Sequence, residues 1–436
     1  MRYGKLGLLL SKIMQTLPSK LQKIINKVLI ETKLAAFKMR LILRHQKTTD
    51  PTRIYFISPM RIAYHTNYLQ EGKTQEVPFR ARTFPPEMRG SAVDGNWDLS
   101  YYKFTDLDIY KSFKKRIEER VKWENTDFYK RVLRQVESGT FVWKLRNKDE
   151  VDKRFEYLDW LIASIKNRGY ILNRNNYFEN ATIDEIDVNI GRNGDYLFQN
   201  GVHRLSIAKI LGIKQVPVTV FVRHKKWQEF RDFVISYAQH QKEGMLYQPI
   251  IHPDLADIPH ATETHDYSGL MVAIKQHLGK ESGVMLDIGA NVGYFCHKFE
   301  DLGYKCYAVE QDSIVFQILK KIRTAENKKF EAINKSIFNV GFINSMEFDV
   351  VLALNIFHQF LKRKTEYFKL INLLKNLKTA ELFFEPHVYT ENQMKDAYVN
   401  YNETEFVDFL LKHTSLARSE LIYAERSGRR VFKLSK

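Results

Sequence analysis

The sequence predicts an α/β protein of two domains: an open C-terminal sheet that ends in an antiparallel hairpin, and a smaller α+β domain in the middle of the chain. Three observations predict it. From about residue 269 to 436, short apolar strands alternate with helical periodicity, as in a sheet whose strands are joined through helices. Gln248 to Ser268 is rich in Pro, His, Asp and Thr and has no periodicity, so residues 241–268 read as a linker between domains at 51–240 and 269–436. All 5 tryptophans fall between Trp97 and Trp227, which gives the middle domain a core of its own. With 436 residues, 44% hydrophobic and 13% aromatic, a wholly disordered chain is excluded.

The first segment, residues 1–50, is basic. The chain carries 68 Lys+Arg against 51 Asp+Glu, a net +17, and residues 1–50 hold 11 basic and 2 acidic residues, 11 − 2 = +9 of that total. From Leu21, the residues Ile24, Ile25 and Val28 recur at helical spacing with Lys20, Lys23, Lys27 and Lys33 between them. Such a basic amphipathic helix suits an anionic membrane surface or nucleic acid; the alternative is a helix packed on its own protein or a second subunit. No apolar run approaches the ~18 residues that span a bilayer, and Leu6 to Leu10 is stopped by Ser11 and Lys12. The reading is cytoplasmic, with peripheral contact to the inner face of the membrane. The cysteines, Cys296 and Cys306, have no metal-ligand spacing and suggest neither zinc nor a disulfide framework.

In the middle domain, Leu161 to Tyr170 reads as a helix closed by Gly169, Glu185 to Ile190 as a strand, Gly194-Asp195 as a turn and Tyr196 to Phe198 as a second strand. Asn200-Gly201-Val202-His203-Arg204-Leu205 then opens a helix through Leu211, and Val216 to Val222 is another strand. A glycine at a helix N-terminus offers free N–H groups, while His203 and Arg204 add charge and bidentate donors. Asn200, Gly201, His203 and Arg204 are therefore the candidate phosphate-binding residues. Arg223, His224 and Arg231 extend the basic surroundings, and Asp184, Glu185, Asp187 and Asp195 are the acids on offer. Val93 to Asp98 (VDGNWD) is either a site loop or a turn anchored by Trp97. The order of helix, strand, turn, G-x-H-R loop, helix ending in Leu-Gly and V-P-V strand resembles the ParB/sulfiredoxin superfamily over about 70 residues. That resemblance implies a nucleotide at the loop, ATP or CTP with Mg. Residues 51–150 are an addition it does not cover.

In the C-terminal domain, Val284 to Ile288 is a strand followed at once by Gly289-Ala290-Asn291-Val292-Gly293 and a helix start at Tyr294-Phe295. Glycines there let backbone approach a ligand at the carboxyl end of the strand. Lys305 to Val309 is a second strand ending in Glu310, a carboxylate placed to accept both hydroxyls of a ribose. Helix 313–326, strands 330–334 and 348–354, a helix from about 361 and strand 381–385 follow. Glu420 to Glu425, a Ser427-Gly428 turn and Arg430 to Leu434 form the hairpin.

LDIGANVGYF, Glu310 and FDVVLALNIFHQF, in that order, resemble the class I S-adenosylmethionine-dependent methyltransferases. The resemblance implies a Rossmann-like sheet, with Asp287, Gly289, Asn291 and Gly293 around the methionine end of the cofactor, Glu310 on its ribose and residues near Ser336 beside its adenine. A dinucleotide-dependent dehydrogenase is excluded by spacing, since Gly289 to Gly293 gives G-x-x-x-G rather than G-x-G-x-x-G. Strand ends face the ligand crevice in such sheets, so Asn355, His358, Glu385 and His387 are the candidates to bind or deprotonate a methyl acceptor. The combined expectation is a methyltransferase fused to a phosphate-handling domain that acts as a kinase, modifying a small molecule, saccharide or lipid-linked glycan. Two alternatives stand: a ParB-like DNA-binding or nuclease domain coupled to nucleic-acid methylation, and a middle domain that only binds.

Overall fold

A computed structural model describes residues 52–70, 81–140, 142–172, 185–261, 265–425 and 428–436, together with Pro18 and Pro78. The expected basic N-terminal helix and Asp184 lie outside the described residues. The chain divides into two compact units, Met1–Glu229 and Phe230–Lys436.

The first unit contains strands β1 (Ile54–Ile57), β2 (Tyr64–His65) and β3 (Ala92–Val93), then helices α1 (Asp108–Glu118), α2 (Asp127–Glu137) and α3 (Lys148–Arg168). β4 (Ile186–Ile190), β5 (Tyr196–Asn200), helix α4 (Val202–Ile210) and β6 (Val216–His224) follow. The sheet runs β1-β6-β4-β5-β2, with β3 beside β6; β4 and β6 are parallel, whereas β4 and β5 are antiparallel. The apolar faces of α1, α2 and α3 bury Phe113, Phe128, Val132 and Phe155 against Ile207 of α4. Each such side chain contributes roughly 1.5–3 kcal/mol on leaving water. Residues 51–150 thus supply the edge strands and most of this helical layer. α3 begins at Lys148, capped by Asn147, whose side chain accepts from Glu150 N. The expected helix from Leu161 is its last two turns.

Helix α5 (Lys225–Gln239) spans the division between the units. The second unit continues with α6 (Tyr267–Gln276), β7 (Val284–Ile288), α7 (Tyr294–Asp301), β8 (Lys305–Val309), α8 (Ser313–Ala325), β9 (Glu331–Ile333) and β10 (Phe348–Leu354). It closes with α9 (His358–Leu361), α10 (Lys364–Asn376), β11 (Thr379–Glu385), α11 (Glu403–His413), β12 (Arg418–Ala424) and β13 (Arg430–Ser435). The sheet order is β12-β13-β11-β10-β7-β8-β9, with β13 antiparallel to β11 and to β12. The order and directions are those of a Rossmann-like sheet with an antiparallel terminal hairpin. Alternation along the strands sends Leu286, Val309, Val351 and Phe384 into one core, shared with α10 and α11. Met285, Ala308, Leu352 and Phe383 enter the other, shared with α6 and α7. A parallel sheet covered on both faces explains why its strands read as continuous apolar runs.

One expectation changes. The stretch read as a linker is packed into the second unit: Leu246, Ile250, Leu255 and Ile258 are buried, and Leu246 pairs with His260. Gln248 accepts from Tyr294 N, and Asp266 caps α6 by accepting from Gly269 N at 2.8 Å. The segment lacks periodicity because it is built from short 3-10 turns and irregular contacts, which give no helix or strand repeat.

Candidate functional site

In the second unit, the strand order reverses between β7 and β10, and a crevice at their carboxyl ends follows from that topology. Gly289, Asn291 and Gly293 follow β7 with φ of 78°, 50° and 84°. A Cβ on Gly289 would lie 2.9 Å from Ile356 Cγ1, and one on Gly293 would lie 3.2 Å from Leu319 Cγ. A side chain at either position would therefore crowd a protein neighbour, Ile356 after β10 for Gly289 and Leu319 of α8 for Gly293. Glu310 ends β8 with its carboxylate fixed by the N–H groups of Asn291 (2.9 Å) and Asp312 (2.8 Å). Burial raises its pKa, while those amides oppose the shift. Each carboxylate oxygen keeps acceptor capacity beyond the amide it holds.

Behind the turn, Asp287 is 3% exposed, and burial pushes its pKa up to about 7 against the Cys296 thiol, which donates to it at 3.7 Å. Ser336 begins the 3-10 turn at Ile337–Asn339 after β9 and uses its backbone carbonyl to accept from Asn339 N. A cleft of about 740 Å³ opens beside the glycine turn, with Asn291 and Val292 on one wall; Asp287, Gly289, Gly293, Glu310 and Ser336 are not among the described residues that line it. Tyr247 and His265, from the presumed linker, and Asn355 and Arg429 also line it.

Of the four acceptor-side candidates, Asn355 faces this cleft. Its φ is 52°, and its Nδ2 donates to the Tyr247 hydroxyl at 3.0 Å, which also accepts from Arg429 at 3.4 Å. Its Oδ1 is buried with no hydrogen-bond partner. Glu385, His358 and His387 are buried and are not among the cleft-lining residues described. Glu385 pairs with Arg429 at 3.1 Å and is held near pH 7 by burial, with Arg429 opposing. The His358 and His387 rings lie 5.4 Å apart. Asn400 donates its Nδ2 to Tyr389 O, so its Oδ1 accepts from His387 Nε2–H and leaves His387 Nδ1 as the basic nitrogen. Gln359 donates to His358 Nε2, and burial lowers the His358 pKa to about 4. These three groups brace the cleft from behind.

In the first unit, a cavity of about 650 Å³ opens at the start of α4 and includes Asn200, Gly201, His203 and Arg204 in its wall. Gly201 is the N-cap with φ 91°, and a Cβ there would lie 3.1 Å from Ile186 Cα. The sequence expectation for charge changes in two ways. His203 is wedged among Phe113, Phe128 and Trp143, and burial, then Arg154 and Arg204, lower its pKa to about 3, so the ring is neutral. Arg204 is engaged behind the wall: it donates to Glu185 O at 3.2 Å and lies 3.7 Å from the Glu185 carboxylate. Asp187 is likewise committed, to Arg89 at 2.6 Å.

The remaining sequence candidates are structural. Arg223 donates to Tyr55, His224 contacts Gly95 O, and Arg231 holds Asp257. In VDGNWD, Trp97 donates to Val93 O and Asp98 receives Arg192, which makes it an anchored turn. Asp195 closes its own turn by accepting from Gly191 N through the backbone. What sequence reasoning missed is the contribution of α3: Arg154, Tyr157, Leu161, Ser164 and Arg168 line the cavity from one helical face. The signal was present as their i, i+3, i+7, i+10, i+14 spacing, which puts two arginines on an otherwise aromatic and apolar stripe.

No family model matches the chain, and no curated protein matches it. Among solved structures, WbdD aligns at 17% identity and a TM-score of 0.37, covering 46% of this chain and 46% of WbdD. A second WbdD structure, described as a bifunctional kinase-methyltransferase, aligns at 18% identity and the same TM-score of 0.37. Magnesium protoporphyrin IX methyltransferase from Synechocystis PCC 6803, with bound S-adenosylmethionine, aligns at 12% identity and a TM-score of 0.33, covering 48% of this chain and 96% of that one. The chain spans about half the length of the WbdD structures it matches.

Proposed function

We propose that the second unit is an S-adenosylmethionine-dependent methyltransferase. The observation that carries this reading is Glu310, a buried carboxylate held by two backbone amides at the end of β8, beside a glycine turn and a cleft at the sheet's switch point. The cleft volume of about 740 Å³ suits a cofactor with part of an acceptor, since small-molecule sites run roughly 300–1,000 Å³. When bound, the cofactor supplies an electrophilic methyl carbon. The chain supplies position: Glu310 accepts from ribose hydroxyls, the turn from Gly289 to Gly293 frames the methionine end, and Ser336 stands on the adenine side.

Asn355 Oδ1, buried and unpartnered on the cleft wall, offers an acceptor for an N–H or O–H of the methyl acceptor. The acceptor class is a small molecule or saccharide, and a lipid-linked glycan would be approached through the basic residues 1–50.

The first unit, on this reading, holds a phosphate-bearing ligand at the Gly201 loop, in keeping with its ParB/sulfiredoxin-like sequence order. Binding without phosphoryl transfer is the second reading, favoured by the absence of any Asp or Glu among the described residues lining the cavity. Titration calorimetry on the full chain tests the main proposal. Glu310→Ala should weaken S-adenosylmethionine binding by about 1.5–3 kcal/mol, the scale of a hydrogen bond to a charged group. Unchanged affinity would remove Glu310 from the ribose, and a wild-type chain that does not bind would remove the proposal.

A further inference from the structure

The cavity of the first unit is lined by four arginines, Arg131, Arg154, Arg168 and Arg204, and by no carboxylate among the described residues. Their surroundings differ. Arg131 is paired with Asp108 at 2.5 Å, and Arg204 with Glu185. Arg168 is exposed and donates to Ser164 Oγ. Arg154 makes no hydrogen bond or ion pair among the described residues, and its Nε is buried without a partner. Its guanidinium lies over the Trp143 ring at 5.0 Å and the Tyr157 ring at 4.9 Å, which orients the plane without neutralising the charge.

A half-buried cation with no counter-charge among the described residues is costly unless an anion completes it. The start of α4, where Gly201 takes a left-handed φ of 91°, borders the same cavity, and the first-turn N–H groups of a helix have no acceptor within it.

We propose that Arg154, together with the first-turn amides of α4, is the anion-binding centre of this cavity for the phosphate groups of a di- or triphosphate, and that Arg204 is a positioning residue which ties the loop to Glu185. This rests on the reading of the first unit as a phosphate-binding unit, and it moves recognition from the loop arginine to a helix face the loop motif does not contain. The chemistry fits a fork of N–H donors held flat by two rings in a cavity with no acid among its described lining residues. A di- or triphosphate comes either as a nucleotide or as inorganic pyrophosphate, and the two differ in whether Tyr157 and Trp160, exposed by 44% and 37% on the cavity wall, also receive a planar base.

The test follows tryptophan fluorescence of the full chain, Trp143 being in contact with Arg154, during titration with ATP, CTP and pyrophosphate, each with Mg. Arg154→Met keeps the apolar stem between the rings and removes the charge, so it should cost at least 10-fold in affinity and leave the unliganded melting temperature equal or higher. Arg154→Lys should lose several-fold, because the point charge replaces the fork. Arg204→Lys should change affinity by less than about threefold and lower the melting temperature, as loss of a tie to Glu185 requires. Arg154→Met binding as tightly as wild type, or Arg204→Lys losing as much as Arg154→Met, would overturn the assignment while leaving the phosphate-binding reading intact. A wild-type chain that answers none of the three probes would remove both. Nucleotides binding more tightly than pyrophosphate support the site together with a base on the aromatic wall; equal binding supports the phosphate centre alone.

Discussion

Two half-buried arginines, Arg429 in the second unit and Arg154 in the first, both sit beside aromatic side chains, and they are treated oppositely. Arg429 meets Glu385 at 3.1 Å and the Tyr247 hydroxyl at 3.4 Å. Arg154 meets ring faces and no carboxylate among the described residues. A paired guanidinium is part of the framework, because its partner would be stranded without it; an unpaired one is a vacancy for charge. The largest expected effect breaks the comparison on the framework side. Glu385→Ala should destabilise the second unit by about 3–5 kcal/mol, the usual cost of stranding a buried charge. Thermal or urea unfolding measures this, and a loss under about 1 kcal/mol would show that water reaches Arg429 and that the two arginines are not so different.

The glycine turns sharpen the same contrast. Gly201 and Gly289 both follow a strand with positive φ, 91° and 78°. An added Cβ at Gly201 would meet the backbone of β4, at Ile186 Cα, whereas at Gly289 it would meet a side chain, Ile356, at Cγ1. Left-handed backbone costs an alanine about 1–2 kcal/mol in either place. Only at Gly201 is the neighbour unable to turn aside, so Gly201→Ala should cost about 2–4 kcal/mol and Gly289→Ala about 1–2 kcal/mol by urea denaturation. The reverse order would mean that the β10 exit loop is the more rigid of the two.

How far the sequence revealed these sites follows from the same difference. The second unit's turn is dictated by topology: strands with apolar runs, a glycine turn and a terminal carboxylate lie in one short order along the chain, so the places of Gly289, Gly293 and Glu310 at the strand ends could be read directly. Tyr247, His265 and Arg429 could not, because they reach the cleft from an aperiodic segment and from the far side of a hairpin. In the first unit the loop was legible and its electrostatics were not. Whether Arg204 is free or paired depends on Glu185, 19 residues earlier, and whether His203 is charged depends on three aromatic rings from the added segment. Arg154 was hidden because an arginine on a helix face is ordinarily solvated; only its lack of a partner marks it.

Acid and base should pull the two units apart. Asp287, with a folded pKa of about 7 and an ordinary unfolded value near 4, binds more protons folded than unfolded between those limits, so its contribution to stability declines as pH rises from about 4 through 7. His203, with a folded pKa of about 3 against an unfolded value near 6.5, binds more protons unfolded. Its contribution is complete above about pH 6.5 and declines as pH falls toward 3. Asp287→Asn should therefore gain stability relative to wild type at pH 8 over that at pH 4, and His203→Gln should gain at pH 4 over that at pH 8. Each unit of pKa difference is worth about 1.4 kcal/mol at full burial. Melting curves at the two pH values decide it, and parallel curves for mutant and wild type would sink either ionisation.

The smallest expected change in stability separates strain from function at Asn355. Its φ of 52° lies in the region where glycine is at ease, while its side chain gives one hydrogen bond to Tyr247 and leaves Oδ1 buried and unpartnered. Asn355→Gly relieves the backbone and removes the bond, two terms of about 1 kcal/mol and opposite sign, so the melting temperature should hardly move. Affinity for S-adenosylmethionine should also hold, because Glu310 and the Gly289 turn remain. If Oδ1 receives the methyl acceptor, transfer of labelled methyl into a metabolite extract should still fall by about 10-fold or more, the loss of one buried hydrogen bond that orients the reacting group. Full transfer by this variant would return Asn355 to a turn-former and leave Tyr247 and Arg429 as the groups that meet the acceptor.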